Sequence, residues 1–138
     1  RVFTFSIHQE FNYPMIKPHS SLDIGLPNEA DGPLYLTHLE SGLAAAVEDF
    51  RPDFVLYVAG ADVYERDLLG GLALTMEDLQ VRDELVMSTC ARLGIPFAIT
   101  LAGGYAESTG DTAAIHALTV ATAIAVVESL RPSQAPTT

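Results

Sequence analysis

Two polar side chains in this 138-residue chain stand where chemistry could be done: Asp62, which closes the run F-V-L-Y-V-A-G-A-D, and Tyr105, which follows L-A-G-G. A carboxylate just past the end of a buried strand lies where open α/β sheets place their ligands, because the loops there open into a crevice. Asp is also a favoured turn residue, and spacing alone leaves both roles open for Asp62. Gly-Gly-Tyr alone is more often a plain turn; at a site, the glycines would remove Cβ crowding and let the loop approach closely. If the two strands are parallel, Asp62 and Tyr105 leave the sheet at one edge and can face one site. A catalytic zinc takes three protein ligands and keeps a fourth position for water, which one Asp cannot satisfy. His8 is the nearby alternative donor, and an isolated His also reads as structural.

The elements that must carry these residues alternate. Residues 2–7 are rich in β-formers and read as a strand ending at His8. Residues 9–31 read as a long loop with a short strand at 22–26, and loops of this length tend to be functional. Leu36, Leu39, Leu43, Ala46, Val47 and Phe50 recur at spacings of three and four, which predicts an amphipathic helix over 33–50 with Pro33 in its first turn. Phe54 to Val58 is an uncharged apolar run, as in a strand buried on both faces of a parallel sheet. Thr75, with Asp78 three residues on, approximates a capping box for a second helix. Its apolar face is Leu79, Leu85, Val86, Cys90 and Leu93, and Gly94 stops it. Residues 95–101 form the third main strand, with Pro96 at its start. A third helix runs from Gly110 or Asp111 to Leu130, and its near-absence of charge predicts cover on most sides. Residues 131–138 read as a disordered tail. The alternation predicts one α/β domain over 1–130, with a mostly parallel sheet and right-handed crossovers.

Composition narrows the function. Seven basic against eighteen acidic residues give a net charge of −11, which argues against nucleic-acid binding because the needed Lys and Arg clusters are absent. It would suit a cationic partner. The single Cys90 cannot form an internal disulfide and reads as core packing, which fits a cytoplasmic protein. No secretory signal is visible, and the apolar run 113–127 is shorter than the ~20 residues that span a bilayer, so no membrane association is expected. The chain opens on a strand without lead-in, which predicts a piece of a longer protein whose upstream part supplies neighbouring strands.

Three ordered motifs carry a resemblance: S-I-H-Q near the start, F-V-L-Y-V-A-G-A-D with D-L-L-G-G-L-A-L-T, and L-A-G-G-Y. Together they resemble the zinc-dependent histone deacetylase family, in particular its bacterial and class IV-like members, over residues 2–128. The resemblance implies part of a three-layer αβα arginase/deacetylase fold and hydrolysis of an N-acetyl amide by metal-activated water. The implied substrates are acetyl-lysine or small acetylated amines such as acetylpolyamines. It implies that Asp62 is one of three Zn²⁺ ligands and that the Tyr105 phenol is the catalytic hydrogen-bond donor to the amide carbonyl. It further implies that Tyr13, in an aromatic-Pro step, lines the substrate tunnel together with Gly103 and Gly104. It implies that Ser6 and Ile7 help hold a structural monovalent cation of the K⁺ type, and that Tyr35 belongs to a second such site. Asp67 matches a family motif and is expected to fix the loop after Asp62. The family's Asp-x-His and His-His segments do not occur here, so this stretch alone is expected to be inactive. The alternative is a non-catalytic α/β ligand-binding or regulatory module, supported by the absence of a P-loop, a G-x-G-x-x-G or a Ser-His or Cys-His constellation.

Overall fold

Among the described residues, four short strands and three helices form in the expected order. The computed structural model describes residues 1–130, so the expected tail at 131–138 lies outside the described residues. Strand β1 (Phe5–Gln9) pairs in parallel with β2 (Leu22–Leu26), Phe5 opposite Leu22 and Gln9 opposite Leu26. Strand β3 (Val55–Gly60) pairs in parallel with β4 (Phe97–Ala102), Val55 opposite Phe97 and Gly60 opposite Ala102. The first strand thus begins and ends later than the 2–7 read from propensity: residues 1–4 lie outside it, and His8 and Gln9 remain in register with Gly25 and Leu26.

Helix α1 (Gly32–Leu43) starts at Asp31, whose Oδ1 accepts from Leu34 N–H at 3.1 Å, and it continues as a wider π-helical turn through Ala44–Asp49. Helix α2 (Met76–Arg92) carries the expected capping box in full. Thr75 Oγ1 accepts from Asp78 N–H at 3.1 Å and Asp78 Oδ2 accepts from Thr75 N–H at 2.9 Å. Gly94, at φ 68°, ends it in the left-handed conformation that glycine adopts without penalty. Helix α3 (Thr109–Ser129) packs along α2, which in turn packs on α1.

The shared core gathers Leu26, Leu39, Leu74, Leu79, Cys90 and Ile115, one or more from most elements. Cys90 is fully buried, as expected of a packing residue, and burial pushes its thiol pKa up, away from reactivity.

Three expectations need correction. The strands form two separately hydrogen-bonded pairs among the described residues, not one ladder. Loop contacts tie the pairs instead: Glu29 N–H donates to Gly71 O at 2.7 Å and Ala73 N–H to Ala30 O at 2.9 Å. Nor is α3 covered on most sides. Ile115, Thr119, Thr122 and Val126 are buried, while Val120, Ile124 and Val127 are exposed. Its apolar run extends to a helix of 21 residues that, by length and composition, could cross a membrane. In this fold it lies against α2, with Thr119 bonded into the interior. Nor is the strand expected at 54–58 buried on both faces: the face of β3 that carries Leu56 (63 % exposed) and Val58 (59 % exposed) is bare.

Candidate active site

The parallel pairing of β3 and β4 sends both chains out at the same edge. Ala61 N–H donates to Ala102 O at 2.8 Å, so the two exits remain in register one residue beyond the strands. The exposed carboxylate of Asp62 then folds back over Gly60 and Gly103. A Cβ on Gly103 would stand 2.9 Å from Asp62 Oδ1 and 3.0 Å from its Cγ, and Gly103 has φ 64°. Only glycine meets both demands, the close approach and the left-handed backbone. Gly104, at φ 105°, faces Ala61 and Thr112 in the same way. The loop then delivers Tyr105, which is 64 % exposed at the rim.

The two loops are fastened to each other. Asp67 is buried, and its Oδ2 accepts from Tyr105 N–H at 2.7 Å while its Oδ1 accepts from Gly70 N–H at 2.7 Å and Leu69 N–H at 2.9 Å. Leu68 N–H donates to Tyr105 O at 2.9 Å, and Glu107 N–H to Arg66 O at 3.0 Å. The expectation for Asp67 covered only the first half of this pattern, the bonds to its own loop.

The loop after β1 reaches the same end. Asn12 Nδ2 donates to Leu69 O at 2.9 Å and to Gln9 Oε1 at 2.8 Å, and its Oδ1 accepts from Tyr13 N–H at 2.7 Å. Lys17 Nζ donates to the carbonyls of Glu10, Asn12 and Pro14, drawing the loop into a tight coil around its ammonium. Tyr13 is thereby held near the strand exits but is 91 % exposed, a side chain presented rather than packed. Ser6 and Ile7 lie within β1, where Ser6 Oγ is hydrogen-bonded to His8 Nδ1 at 2.8 Å and Ile7 sits opposite Ile24. Tyr35 is buried on α1, and its phenol pKa is raised by burial, against the pull of the neighbouring Arg82.

Beneath the exits lies a buried polar cluster. Arg82 and Asp83 are 3 % and 2 % exposed, with Arg82 Nη2 2.8 Å and Nε 2.9 Å from Asp83 Oδ1. Tyr57 OH donates to Asp83 Oδ1 at 2.5 Å and Thr119 Oγ1 to Asp83 Oδ2 at 2.6 Å. Arg82 Nη1 donates to Gly60 O at 2.6 Å, which pins the last residue of β3, two before Asp62. Burial pushes the Tyr57 phenol above its ordinary range, Arg82 opposing and Asp83 adding to the shift. Burial acts to lower the Arg82 pKa, but Tyr57, Asp83 and Tyr35 outweigh it and the guanidinium stays charged. A signal for this cluster exists in the sequence: Arg82 and Asp83 stand three and four residues after Leu79 and before Val86, on the apolar stripe of α2. Asn12 and Lys17 have no such signal.

No group of three His, Cys, Asp or Glu side chains able to hold a metal ion occurs among the described residues. Asp62 offers one carboxylate, and His8 is engaged with Ser6. By themselves these residues do not fit a three-ligand zinc site. The arrangement brings one carboxylate and one phenol out at the same edge, on loops whose backbones are fastened to each other.

Comparison with known proteins points the same way. The Histone deacetylase domain family matches residues 1–121. An uncharacterised protein of Picosynechococcus sp. is 44 % identical over 117 residues, 85 % of this chain and 39 % of that protein. Histone deacetylase 2 of Arabidopsis thaliana is 35 % identical over 74 residues, 54 % of this chain and 19 % of that one. Among solved structures, acetylpolyamine aminohydrolase from Burkholderia pseudomallei superposes with TM-score 0.68 at 19 % identity, over 93 % of this chain and 38 % of that one. A histone deacetylase homologue in complex with SAHA gives TM-score 0.66 at 21 % identity, over 92 % and 40 %. At these identities the two structures establish the shared arginase/deacetylase type of α/β fold. The chain spans about two fifths of the first relative and of both structures.

Proposed function

Because the chain belongs to the histone deacetylase family, we propose that it forms part of a deacetylase centre that hydrolyses N-acetyl amides of the acetyl-lysine or acetylpolyamine type. The observation that carries this reading is the shared edge: Asp62 and Tyr105 leave adjacent parallel strands at one end, with Asp62 packed on Gly103 two residues before Tyr105. Tyr105 then serves as the donor that hydrogen-bonds the amide carbonyl and the oxyanion formed from it, a task for which a fixed donor is worth about 10²–10³ in kcat. Asp62 contributes one ligand to a zinc centre whose other ligands come from outside this stretch, and the zinc supplies Lewis acidity when bound. Tyr13 borders the entrance, Gly103 and Gly104 line it, and the segments at Ser6, Ile7 and Tyr35 belong to structural cation sites. A cytoplasmic location fits the single buried thiol.

The test compares turnover of acetyl-lysine peptides and acetylpolyamines by the complete zinc-loaded protein with that of Tyr105→Phe and Asp62→Asn. Each substitution is expected to remove nearly all kcat. Wild-type rates in both variants refute the assigned roles. A second reading, a non-catalytic ligand-binding module, draws on the incomplete metal set: no group of three His, Cys, Asp or Glu side chains able to hold a metal ion occurs among the described residues. Calorimetry of the 138 residues with zinc separates the two parts of the argument: weak binding is expected, and tight stoichiometric binding contradicts the shared-ligand scheme.

A further inference from the structure

We propose that Asp67 is a positioning residue for Tyr105, the element that sets where the phenol stands relative to Asp62; this rests on the deacetylase reading. Tyr105 is 64 % exposed, so its own ring packing does little to hold it. Its backbone is clamped instead. The N–H donates to Asp67 Oδ2 at 2.7 Å, and the carbonyl accepts from Leu68 N–H at 2.9 Å, a bond that with Glu107 N–H to Arg66 O forms the antiparallel bridge pairing Asp67 with Ala106. The other oxygen of the same carboxylate holds the N–H groups of Leu69 and Gly70, and Gly70 in turn lies directly against the backbone carbonyl of Asp62. One buried carboxylate thus accepts from both loops and ties the tyrosine to the segment that carries Asp62. Three backbone donors converge on Asp67, and an amide in its place cannot accept from all of them: the nitrogen of Asn would face at least one N–H, donor against donor. An error of about 1 Å at a reacting group costs on the order of 10²-fold in rate.

Asp67→Asn in the complete protein, measured beside Tyr105→Phe and the double variant, tests this. The expected result is a fall in kcat of about ten- to a hundredfold with KM within about twofold, because the phenol contributes in the transition state. Amide exchange in the peptide containing Tyr105 accelerates. In the Tyr105→Phe background the substitution at Asp67 adds little further loss. Multiplying losses in the double variant, or an unchanged kcat beside faster exchange, overturn the proposal, as does unchanged exchange at Tyr105. If Asp67→Asn does not fold, Asp67→Glu, which keeps the charge but moves both oxygens by a methylene, is read by the same three measurements. Full activity of Tyr105→Phe would instead sink the deacetylase role of the phenol, while the exchange data still decide whether Asp67 holds the loop.

Discussion

Replacing Asp83 by alanine removes the centre of the buried polar cluster, and the structure sets the size of the effect. Arg82 loses its ion-pair partner at 2–3 % exposure, Tyr57 OH loses its acceptor at 2.5 Å and Thr119 Oγ1 its acceptor at 2.6 Å. Breaking a buried pair by removing one partner costs about 3–5 kcal/mol, since the remaining charge stays desolvated. Each orphaned hydroxyl adds up to about 1–3 kcal/mol, although Thr119 retains Ile115 O at 3.2 Å and the contributions overlap. A total of roughly 4–6 kcal/mol follows, set against the ~5–15 kcal/mol of a typical domain. Asp83→Asn keeps the shape and can still pair both hydroxyls, so about half that loss is expected. Urea denaturation followed by circular dichroism reads both variants. A loss under about 1 kcal/mol for Asp83→Ala would show that water or an alternative acceptor replaces the carboxylate, and the argument that this cluster anchors β3 through Gly60 would fail.

Gly103→Ala is expected to cost about 1–2 kcal/mol from the left-handed backbone alone, and to displace Asp62, whose Oδ1 would stand 2.9 Å from the new methyl; a variant as stable and as active as the parent contradicts the close approach. Thr75→Ala removes one half of the capping box and should lower stability by about 1 kcal/mol, read as a shift in denaturation midpoint at constant slope. Stability should also fall in alkali. The Tyr57 and Tyr35 phenols are raised above their ordinary 10.0, so between that value and their folded pKa the unfolded chain releases protons that the native state keeps. Their contribution is intact below pH 10 and declines above it by up to about 1.4 kcal/mol per pH unit for each phenol. Melting curves at pH 8 to 11 check the direction; a midpoint that stays level, or rises, across that span contradicts it.

Local signals in the sequence were enough for the helices and for the strand exits. Spacings of three and four, the Thr75–Asp78 box and the Gly94 stop depend on neighbours a few residues away, and so does the apolar run that ends at Asp62. The three ordered motifs located Asp62 and Tyr105 and named the family. Tertiary structure decided what those signals could not encode. Asp67 reads as a loop residue until the fold brings Tyr105, 38 positions on, within 2.7 Å of it. The near-absence of charge in α3 predicted cover, but which side of a helix is covered depends on what packs there, and Val120, Ile124 and Val127 remain in solvent. Arg82 and Asp83 fall on the apolar stripe of α2, but only the fold supplies their partners, Tyr57 and Thr119, from a strand and another helix. The difference is physical: periodicity and capping are set by the backbone within one turn or one strand, whereas burial and cross-loop hydrogen bonds exist only once distant segments have been brought together.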